Sequence, residues 1–154
     1  MEHPNELHLS LRQSIREICQ GFPDPYWRQL DAERGYPAEF VRALTEAGFL
    51  AALIPPEYGG AGLGITEAAI ILEEIHRCGG NAGACHAQMY IMGSLLRHGS
   101  EAQKRTYLPA VADGTLRLQA FGVSEPTTGS DTTQLRTMAV KQGDCYVVTG
   151  QKVW

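Results

Sequence analysis

The spacing of apolar residues changes near Thr115, and this change is the strongest constraint on the fold. Before that point, apolar side chains recur every three to four residues, as at Leu11, Ile15 and Cys19, which predicts helices with one buried face. After that point, apolar and polar residues alternate, and Gly143-Asp144 predicts a hairpin turn. The predicted strands are Leu116–Val123, Thr137–Val140 and Tyr146–Thr149.

Capping residues predict where several helices begin and end. Ser100 and Gln103 have the spacing of a capping box, and Pro109 predicts the end of the helix that follows it. Thr66 predicts the start of a helix that runs to about Cys78. A further helix, from Ala82 to Arg97, is apolar on most sides, which is typical of a helix buried on most sides. We therefore expect a mainly α fold with its domain boundary after residue 114.

The composition excludes several classes of function. The chain has 154 residues and a formal net charge of −4, and it has no basic run that could neutralise a nucleic-acid backbone. It contains no apolar stretch of membrane-spanning length and begins with a polar segment, so we predict a cytoplasmic protein. Its four cysteines lack zinc or redox spacing, which predicts free thiols and no metal site.

Three other features have ordinary structural explanations. The glycine-rich segment 59–64 does not follow the Gly-x-Gly-x-x-Gly pattern, so we do not predict a nucleotide site there. Glu73 and Glu74 are adjacent on a helix, cannot share one face, and are interpreted as solvated. Met89, Tyr90 and Met92 on the predicted buried helix are explained by plain core packing.

The most informative motif lies between Phe121 and Asp131, where an apolar run is followed by Ser-Glu-Pro-Thr-Thr-Gly-Ser-Asp. Pro126 removes a backbone donor and ends a strand. Gly129 permits a positive φ angle and a close approach of the backbone to a ligand. Short hydroxyl side chains in this segment could face a phosphate or a heteroaromatic edge. An ordinary polar turn after a strand would explain the same composition.

Two motifs in this order resemble the flavin-binding signature of the acyl-CoA dehydrogenase family. The first is the segment from Phe121 to Asp131, and the second runs from Tyr146 to Trp154 as Tyr-Val-Val-Thr-Gly-Gln-Lys-Val-Trp. The resemblance covers nearly all of the chain. It implies an N-terminal helical domain over residues 1–114, followed over residues 115–154 by the incomplete start of a middle β-domain, the first antiparallel strands of a β-barrel.

The resemblance also implies FAD as the cofactor. Phe121 would pack near the isoalloxazine ring, and Trp154 would stack against it. Gly129 and Ser130 would approach the pyrophosphate, and Ser130 would also touch the thioester arm of the substrate. The implied cofactor-binding residues are Phe121, Gly122, Val123, Ser124, Gly129, Ser130 and Trp154. Lys152, next to this set, is interpreted as a solvated strand residue. The resemblance also makes Met89, Tyr90 and Met92 candidates for the wall of the acyl pocket, with core packing as the alternative.

The activity that the resemblance implies is oxidation of an acyl-CoA thioester to the 2,3-enoyl-CoA, with hydride transfer to FAD N5. The family's catalytic carboxylate would lie beyond residue 154, so the chain alone would be inactive. An electron-transfer flavoprotein or similar acceptor, a homo-oligomer and a role in fatty acid metabolism are further expectations. The alternatives are a related flavin oxidase or monooxygenase on the same scaffold, and a non-catalytic interaction module.

Overall fold

The structure, a computed structural model that describes residues 6–154, contains six α-helices followed by an antiparallel pair of strands within that range. This arrangement confirms the predicted mainly α fold. The helices are α1 (Glu6–Gln20), α2 (Asp24–Glu33), α3 (Ala38–Glu46), α4 (Ile65–Arg77), α5 (Gly83–His98) and α6 (Glu101–Ala112), and the strands are β1 (Met138–Gln142) and β2 (Cys145–Thr149). Short 3-10 helices occupy Phe49–Ala51, Pro56–Tyr58 and Thr132–Gln134.

Contacts between residues divide the chain into two compact units. The helical unit extends to Gln119, and the β unit comprises Ala120–Trp154. The predicted domain boundary, after residue 114, lies between the end of α6 and this division. Within residues 6–154, no helix combines the length and the apolar character needed to cross a bilayer.

The first helix buries the face that its residue spacing predicts. Leu11, Ile15 and Cys19 of α1 are buried, and they lie on one side of the helix. Ile15 joins the main apolar core together with Phe40 of α3 and Ile71 of α4. Burying a side chain of this size contributes about 1.5–3 kcal/mol. The core of the helical unit therefore rests on the helical periodicity of the sequence.

Helices α1 and α4 run side by side in the same direction, and polar side chains link them at regular intervals. His8 Nε2 lies 2.8 Å from Glu67 Oε1. Arg12 Nη1 donates to Glu74 Oε2 at 3.0 Å, and Arg16 Nε donates to Glu74 Oε1 at 2.6 Å. Linked residues are separated by 59, 62 and 58 positions in sequence, so the two helices keep a constant register along their length.

Glu74 is fully buried, so the prediction that this residue is solvated is wrong. The hydrogen bond from Arg16, together with the one from Arg12, holds the pKa of Glu74 below its usual value. Glu73 accepts a hydrogen bond from Arg12 at 2.6 Å, and its side chain is 61% exposed as predicted. The error arose because the two guanidinium groups come from another helix, and no pattern within α4 reveals them.

The glycine-rich segment 59–64 folds back on the segment that precedes it. The N–H group of Gly62 donates to the carbonyl oxygen of Ile54 at 2.8 Å. A Cβ atom at Gly60 would overlap the carbonyl oxygen of Ile54 and lie 2.6 Å from that of Ala51. These glycines therefore allow close packing of backbone on backbone.

The capping box at the start of α6 is confirmed, but the predicted end of that helix is wrong. The Ser100 N–H donates to Gln103 Oε1 at 2.8 Å, and the Gln103 N–H donates to Ser100 Oγ at 3.2 Å. Pro109 lies inside α6, which continues to Ala112. The carbonyl of Pro109 still accepts the N–H of Asp113 at 3.0 Å, so the final turn closes although the proline donates no hydrogen bond.

Thr66 is the second residue of α4 and not its N-cap. The helix begins at Ile65 after Gly64, and the Gly64 N–H donates to Glu67 Oε2 at 2.9 Å. The glutamate at the third helical position therefore performs the capping that the sequence pattern assigned to a hydroxyl. The predicted helix from Ala82 to Arg97 is confirmed as α5, shifted by one residue.

The predicted strand Leu116–Val123 is wrong, because none of these residues lies in a strand. Leu116 and Leu118 pack against an apolar cluster of the helical unit, and the Leu116 N–H donates to the carbonyl of Ala110 at 2.8 Å. The alternating apolar side chains thus pack against helices, and no neighbouring strand within the described residues offers this segment a ladder of hydrogen bonds.

The predicted hairpin is confirmed. Strands β1 and β2 pair from Met138 with Thr149 to Gln142 with Cys145, which leaves Gly143 and Asp144 as a two-residue loop. Gly143 has a φ angle of +60°, which a two-residue hairpin loop requires and glycine adopts readily. Every residue of both strands is exposed on the β unit.

Candidate functional site

The candidate site is the motif loop (residues 121–131) of the β unit, which contains a tight turn that starts at Glu125. The Glu125 N–H donates to the Thr128 carbonyl at 2.8 Å, and the Thr128 N–H donates to the Glu125 carbonyl at 3.0 Å. Pro126 is the second residue of this turn, where its fixed φ angle is favourable. Thr128 is buried, and its hydroxyl donates to the Gln134 carbonyl at 3.3 Å. The turn therefore has a defined backbone conformation.

The side chain of Glu125 attaches this turn to the start of β1. Its carboxylate accepts the backbone N–H of Arg136 at 2.7 Å and that of Thr137 at 2.9 Å, and it accepts Lys152 Nζ at 3.1 Å. The residue is only 6% exposed. Hydrogen bonds from Thr137, then from Arg136, with a smaller contribution from Lys152, hold the pKa of Glu125 at about 2. The carboxylate is thus an ionised structural acceptor.

Lys152 connects the two sequence motifs. Its ammonium group also donates to the Val123 carbonyl at 2.9 Å, and the N–H of Val153 donates to the Ser124 carbonyl at 3.0 Å. Lys152 is exposed, as interpreted from the sequence, but it lies outside both strands, so the strand part of that interpretation is wrong. Its ammonium group links the motif loop to the segment before Trp154. Only the packing of one motif against the other creates this role.

The structure places the predicted cofactor-binding residues in different environments on this scaffold. Val123 and Ser124 are half-buried beside the segment that leads to Trp154. Gly129 and Ser130 are exposed and follow the tight turn. Phe121 is 61% exposed, and Trp154 is fully exposed. Gly122 is the remaining predicted cofactor-binding residue. A Cβ atom added there would lie 3.6 Å from Lys152 Cβ, an ordinary packing distance.

Gly129 differs in one respect from its prediction. Its φ angle is not positive, so a positive φ does not account for the glycine at this position. A Cβ atom added at Gly129 would have no other atom of the described chain within 4 Å. The exposed backbone here leaves room for a ligand to approach closely, which was the other reason for naming this residue.

Hydroxyl groups of the motif loop and of the 3-10 helix that follows it fall into two classes. Those of Thr128 and Thr133 are used within the β unit, where Thr133 donates to the carboxylate of Asp131. Those of Ser124, Thr127 and Ser130 have no hydrogen-bond partner among residues 6–154. A rigid loop that presents unused hydroxyl groups has the chemistry to bind phosphate or a heteroaromatic edge.

The donor set of the β unit fits a planar cofactor that carries phosphate groups. Exposed aromatic side chains at Phe121 and Trp154 offer faces for stacking. The exposed backbone at Gly129 and the hydroxyl of Ser130 offer contacts for oxyanions. Across residues 6–154, no group of three His, Cys, Asp or Glu side chains could hold a metal ion.

Two residues needed by this site were missed by sequence reasoning. Glu125 is part of the recognised motif, but its role depends on N–H groups eleven and twelve residues away. Gly150 packs against Thr137, because a Cβ atom at this glycine would overlap the threonine hydroxyl and lie 2.8 Å from its Cα atom. The sequence signals that could have identified these residues were the glutamate of the first family motif and the glycine of the second.

The three candidates for a substrate pocket all lie on α5, but they differ in exposure. Met89 and Met92 are buried, each in a different apolar cluster of the helical unit, so core packing explains both. Tyr90 is 36% exposed and lines an open groove of about 640 Å³ together with Leu53 and Arg97. Of the three candidates, Tyr90 alone faces a space that a ligand could enter.

Comparison with known proteins identifies the family. Residues 5–115 match the model of the acyl-CoA dehydrogenase N-terminal domain. The chain belongs to the acyl-CoA dehydrogenase family. The mitochondrial isovaleryl-CoA dehydrogenase of Bos taurus is 35% identical over 97% of this chain and 36% of its own length. The cyclohex-1-ene-1-carbonyl-CoA dehydrogenase of Syntrophus aciditrophicus is 38% identical over 99% of this chain and 37% of its own length.

A solved structure of a family member has the same fold. The glutaryl-coenzyme A dehydrogenase in complex with glutaryl-CoA superposes with a TM-score of 0.88 and 31% identity, and the match covers 100% of this chain and 40% of that one. The chain thus spans a little over a third of the length of the curated relatives it matches. In fold, it corresponds to the N-terminal portion of an acyl-CoA dehydrogenase.

Proposed function

We propose that this chain provides the N-terminal portion of an FAD-dependent acyl-CoA dehydrogenase, which oxidises an acyl-CoA thioester to the 2,3-enoyl-CoA. One observation carries the proposal. The motif loop is held by the buried Glu125, while the hydroxyls of Ser124, Thr127 and Ser130 lack partners among residues 6–154. A loop of this kind is organised before its ligand arrives, which lowers the entropy cost of binding.

Bound FAD would supply the acceptor for the hydride that leaves the substrate Cβ atom, at flavin N5. The residues that would hold it are Phe121, Gly122, Val123, Ser124, Gly129, Ser130 and Trp154. Ser124 offers its hydroxyl to the polar edge of the ring, and Trp154 offers an exposed face for stacking. Ser130 offers its hydroxyl to the pyrophosphate and to the thioester arm of the substrate.

The base that removes the α-proton is not assigned to any residue of this chain. Glu125 is unsuitable, because three donors occupy its carboxylate and hold its pKa at about 2. Glu74 is also unsuitable, because it is buried and paired with Arg12 and Arg16. A general base needs a free lone pair and a pKa nearer to neutrality.

The remaining expectations form part of the same proposal. Residues 1–114 form the helical domain, and residues 115–154 begin the middle β-domain. The protein assembles as a homo-oligomer, acts in fatty acid metabolism and delivers electrons to an electron-transfer flavoprotein or similar acceptor. A cytoplasmic location is supported by four cysteines that are all free, as thiols are in reducing compartments.

Titration of the full-length apoprotein with FAD tests the proposed placement. Ser130→Ala should weaken binding by about 1.5–3 kcal/mol, roughly 10- to 150-fold in Kd, because it removes a hydrogen bond to a charged group. Trp154→Ala should weaken binding through lost stacking. Ser10→Ala, which removes an exposed hydroxyl from α1, is the matched control and should leave Kd unchanged. Unchanged affinity in both Ser130→Ala and Trp154→Ala would exclude this site.

A second measurement separates the dehydrogenase from its alternatives. The relatives described above are named dehydrogenases, so neither an oxidase nor a non-catalytic module is favoured. The full-length protein should turn over an acyl-CoA with an artificial electron acceptor in the absence of oxygen. Turnover that needs oxygen would indicate an oxidase or monooxygenase, and a protein that binds no flavin would indicate an interaction module.

A further inference from the structure

The constant register between α1 and α4 brings two cysteines opposite each other. The polar links between these helices join residues that are 58 to 62 positions apart. Cys19 is the last residue but one of α1, and Cys78 directly follows the last residue of α4, 59 positions later. The cysteine pair therefore continues the same series, one turn beyond the contact between Arg16 and Glu74.

The electrostatic surroundings of Cys19 place Cys78 beside it. Burial, followed by interaction with the Cys78 thiol, raises the pKa of Cys19 to about 12. After Glu74, Cys78 also contributes to the raised pKa of Arg16. Both effects agree with the register of the two helices, which places Cys78 opposite the end of α1.

The two thiols of this pair differ in accessibility, since Cys78 is exposed and Cys19 is buried. Cys85 belongs to the same apolar cluster as Cys19 and contributes least to its raised pKa. It is buried with 0% exposure, so a dissolved oxidant does not reach it directly. Cys145 is exposed on β2 of the β unit. An exposed thiol is accessible to a dissolved oxidant, and a second thiol beside it can resolve the sulfenic acid that forms.

We propose that Cys19 and Cys78 form a reversible disulfide that joins the C-terminal ends of α1 and α4. A peroxide is the class of oxidant that the pair requires. The Cys78 thiolate attacks one oxygen of hydrogen peroxide, so an S–O bond forms, the O–O bond breaks and hydroxide leaves to become water. The Cys19 thiol then loses its proton and attacks the Cys78 sulfur. An S–S bond forms, the S–O bond breaks and a second water leaves, so two thiols are oxidised for each peroxide reduced.

Thiol counting on the whole protein tests the proposal. Brief treatment with hydrogen peroxide should lower the number of thiols titrated after denaturation by two relative to the reduced protein. Peptide mapping without reductant should recover the Cys19 and Cys78 peptides joined, and a phosphine reductant should restore both thiols. The oxidised protein should also melt at a higher temperature, because the cross-link restricts the unfolded chain.

Two variants make the result decisive. Cys145→Ser removes the other exposed thiol and should still lose two thiols on oxidation. Cys78→Ser changes an exposed residue, should melt like the reduced protein, and should form no intramolecular disulfide. A cross-link between Cys19 and Cys85, or covalent dimers joined through Cys78 as the main product, would overturn the proposal.

Discussion

A single carboxylate organises the candidate site at the scale of residues. Glu125 has no resolved role in the sequence pattern beyond its place in a motif, yet in the structure it joins the turn, the start of β1 and the segment before Trp154. Because all three donors favour the ionised form, the pKa of this residue reports directly on whether the loop is intact.

The titration of Glu125 is the first expected outcome. Its pKa is about 2 in the folded chain against a usual value of 4.5, so its contribution to stability is complete above pH 4.5 and is lost as the pH falls towards 2. The amide chemical shifts of Arg136 and Thr137 should therefore change near pH 2. In Glu125→Gln this inflection should vanish. An inflection near pH 4.5 in the unmodified protein would show that the carboxylate is not held as described.

Two glycines of the β unit should respond differently to the same substitution. Gly150→Ala should disturb the pairing of Met138 with Thr149, because the added Cβ atom would lie 2.8 Å from the Thr137 Cα atom. Gly129→Ala should leave the hairpin intact, since the new methyl group meets open space, but it should weaken FAD binding. Amide spectra of the hairpin and FAD titration of the full-length protein measure the two effects. An unperturbed hairpin in Gly150→Ala would refute the packing argument.

At the scale of elements, the ion pairs between α1 and α4 allow a buried carboxylate to be compared with an exposed one. Glu74→Gln leaves two guanidinium groups without their shared carboxylate and should lower the free energy of unfolding by about 3 kcal/mol, since removing one member of a buried ion pair is costly. Glu73→Gln breaks an exposed link to Arg12 and should cost less than about 1 kcal/mol. Urea unfolding of both variants measures the difference, and equal losses would contradict the burial of Glu74.

Local sequence signals predicted most of the elements, and two of the errors share one cause. The period of Leu11, Ile15 and Cys19 identified α1, and Gly143 identified the hairpin, because both depend on near neighbours in sequence. Leu116–Val123 has the alternation of a strand, but Leu116 and Leu118 pack within the helical unit, and Glu74 finds its partners on another helix. Such outcomes depend on tertiary contacts, which local periodicity does not encode.

At the scale of the whole molecule, the 154-residue chain alone should not dehydrogenate acyl-CoA. Removal of the α-proton needs a positioned carboxylate with a free lone pair, and Glu74 and Glu125 are both committed to other donors. The test is a mixture of the purified chain with FAD, a panel of acyl-CoAs and an artificial acceptor. Turnover above a protein-free control would mean that a residue within the chain acts as the base.

The sequence predicted the candidate site only in part. The sequence motifs located the loop and the aromatic residues Phe121 and Trp154, and family membership supports the cofactor that they imply. The contacts that hold the site together were not predicted from the sequence. Glu125, Lys152 and Gly150 make them, and each contacts a group that lies well away in sequence. A motif identifies what a segment resembles, whereas the contacts between segments show how it is held.

The pairing of α1 with α4 has a consequence for folding during translation. The partners on α4 leave the ribosome about 60 residues after those on α1, which at about 5–20 residues per second is a delay on the order of 3–12 s. During that interval, Ile15 and its apolar neighbours have no α4 surface to cover them. The nascent first helix is therefore a natural client for chaperones that bind exposed apolar segments until translation supplies its partner.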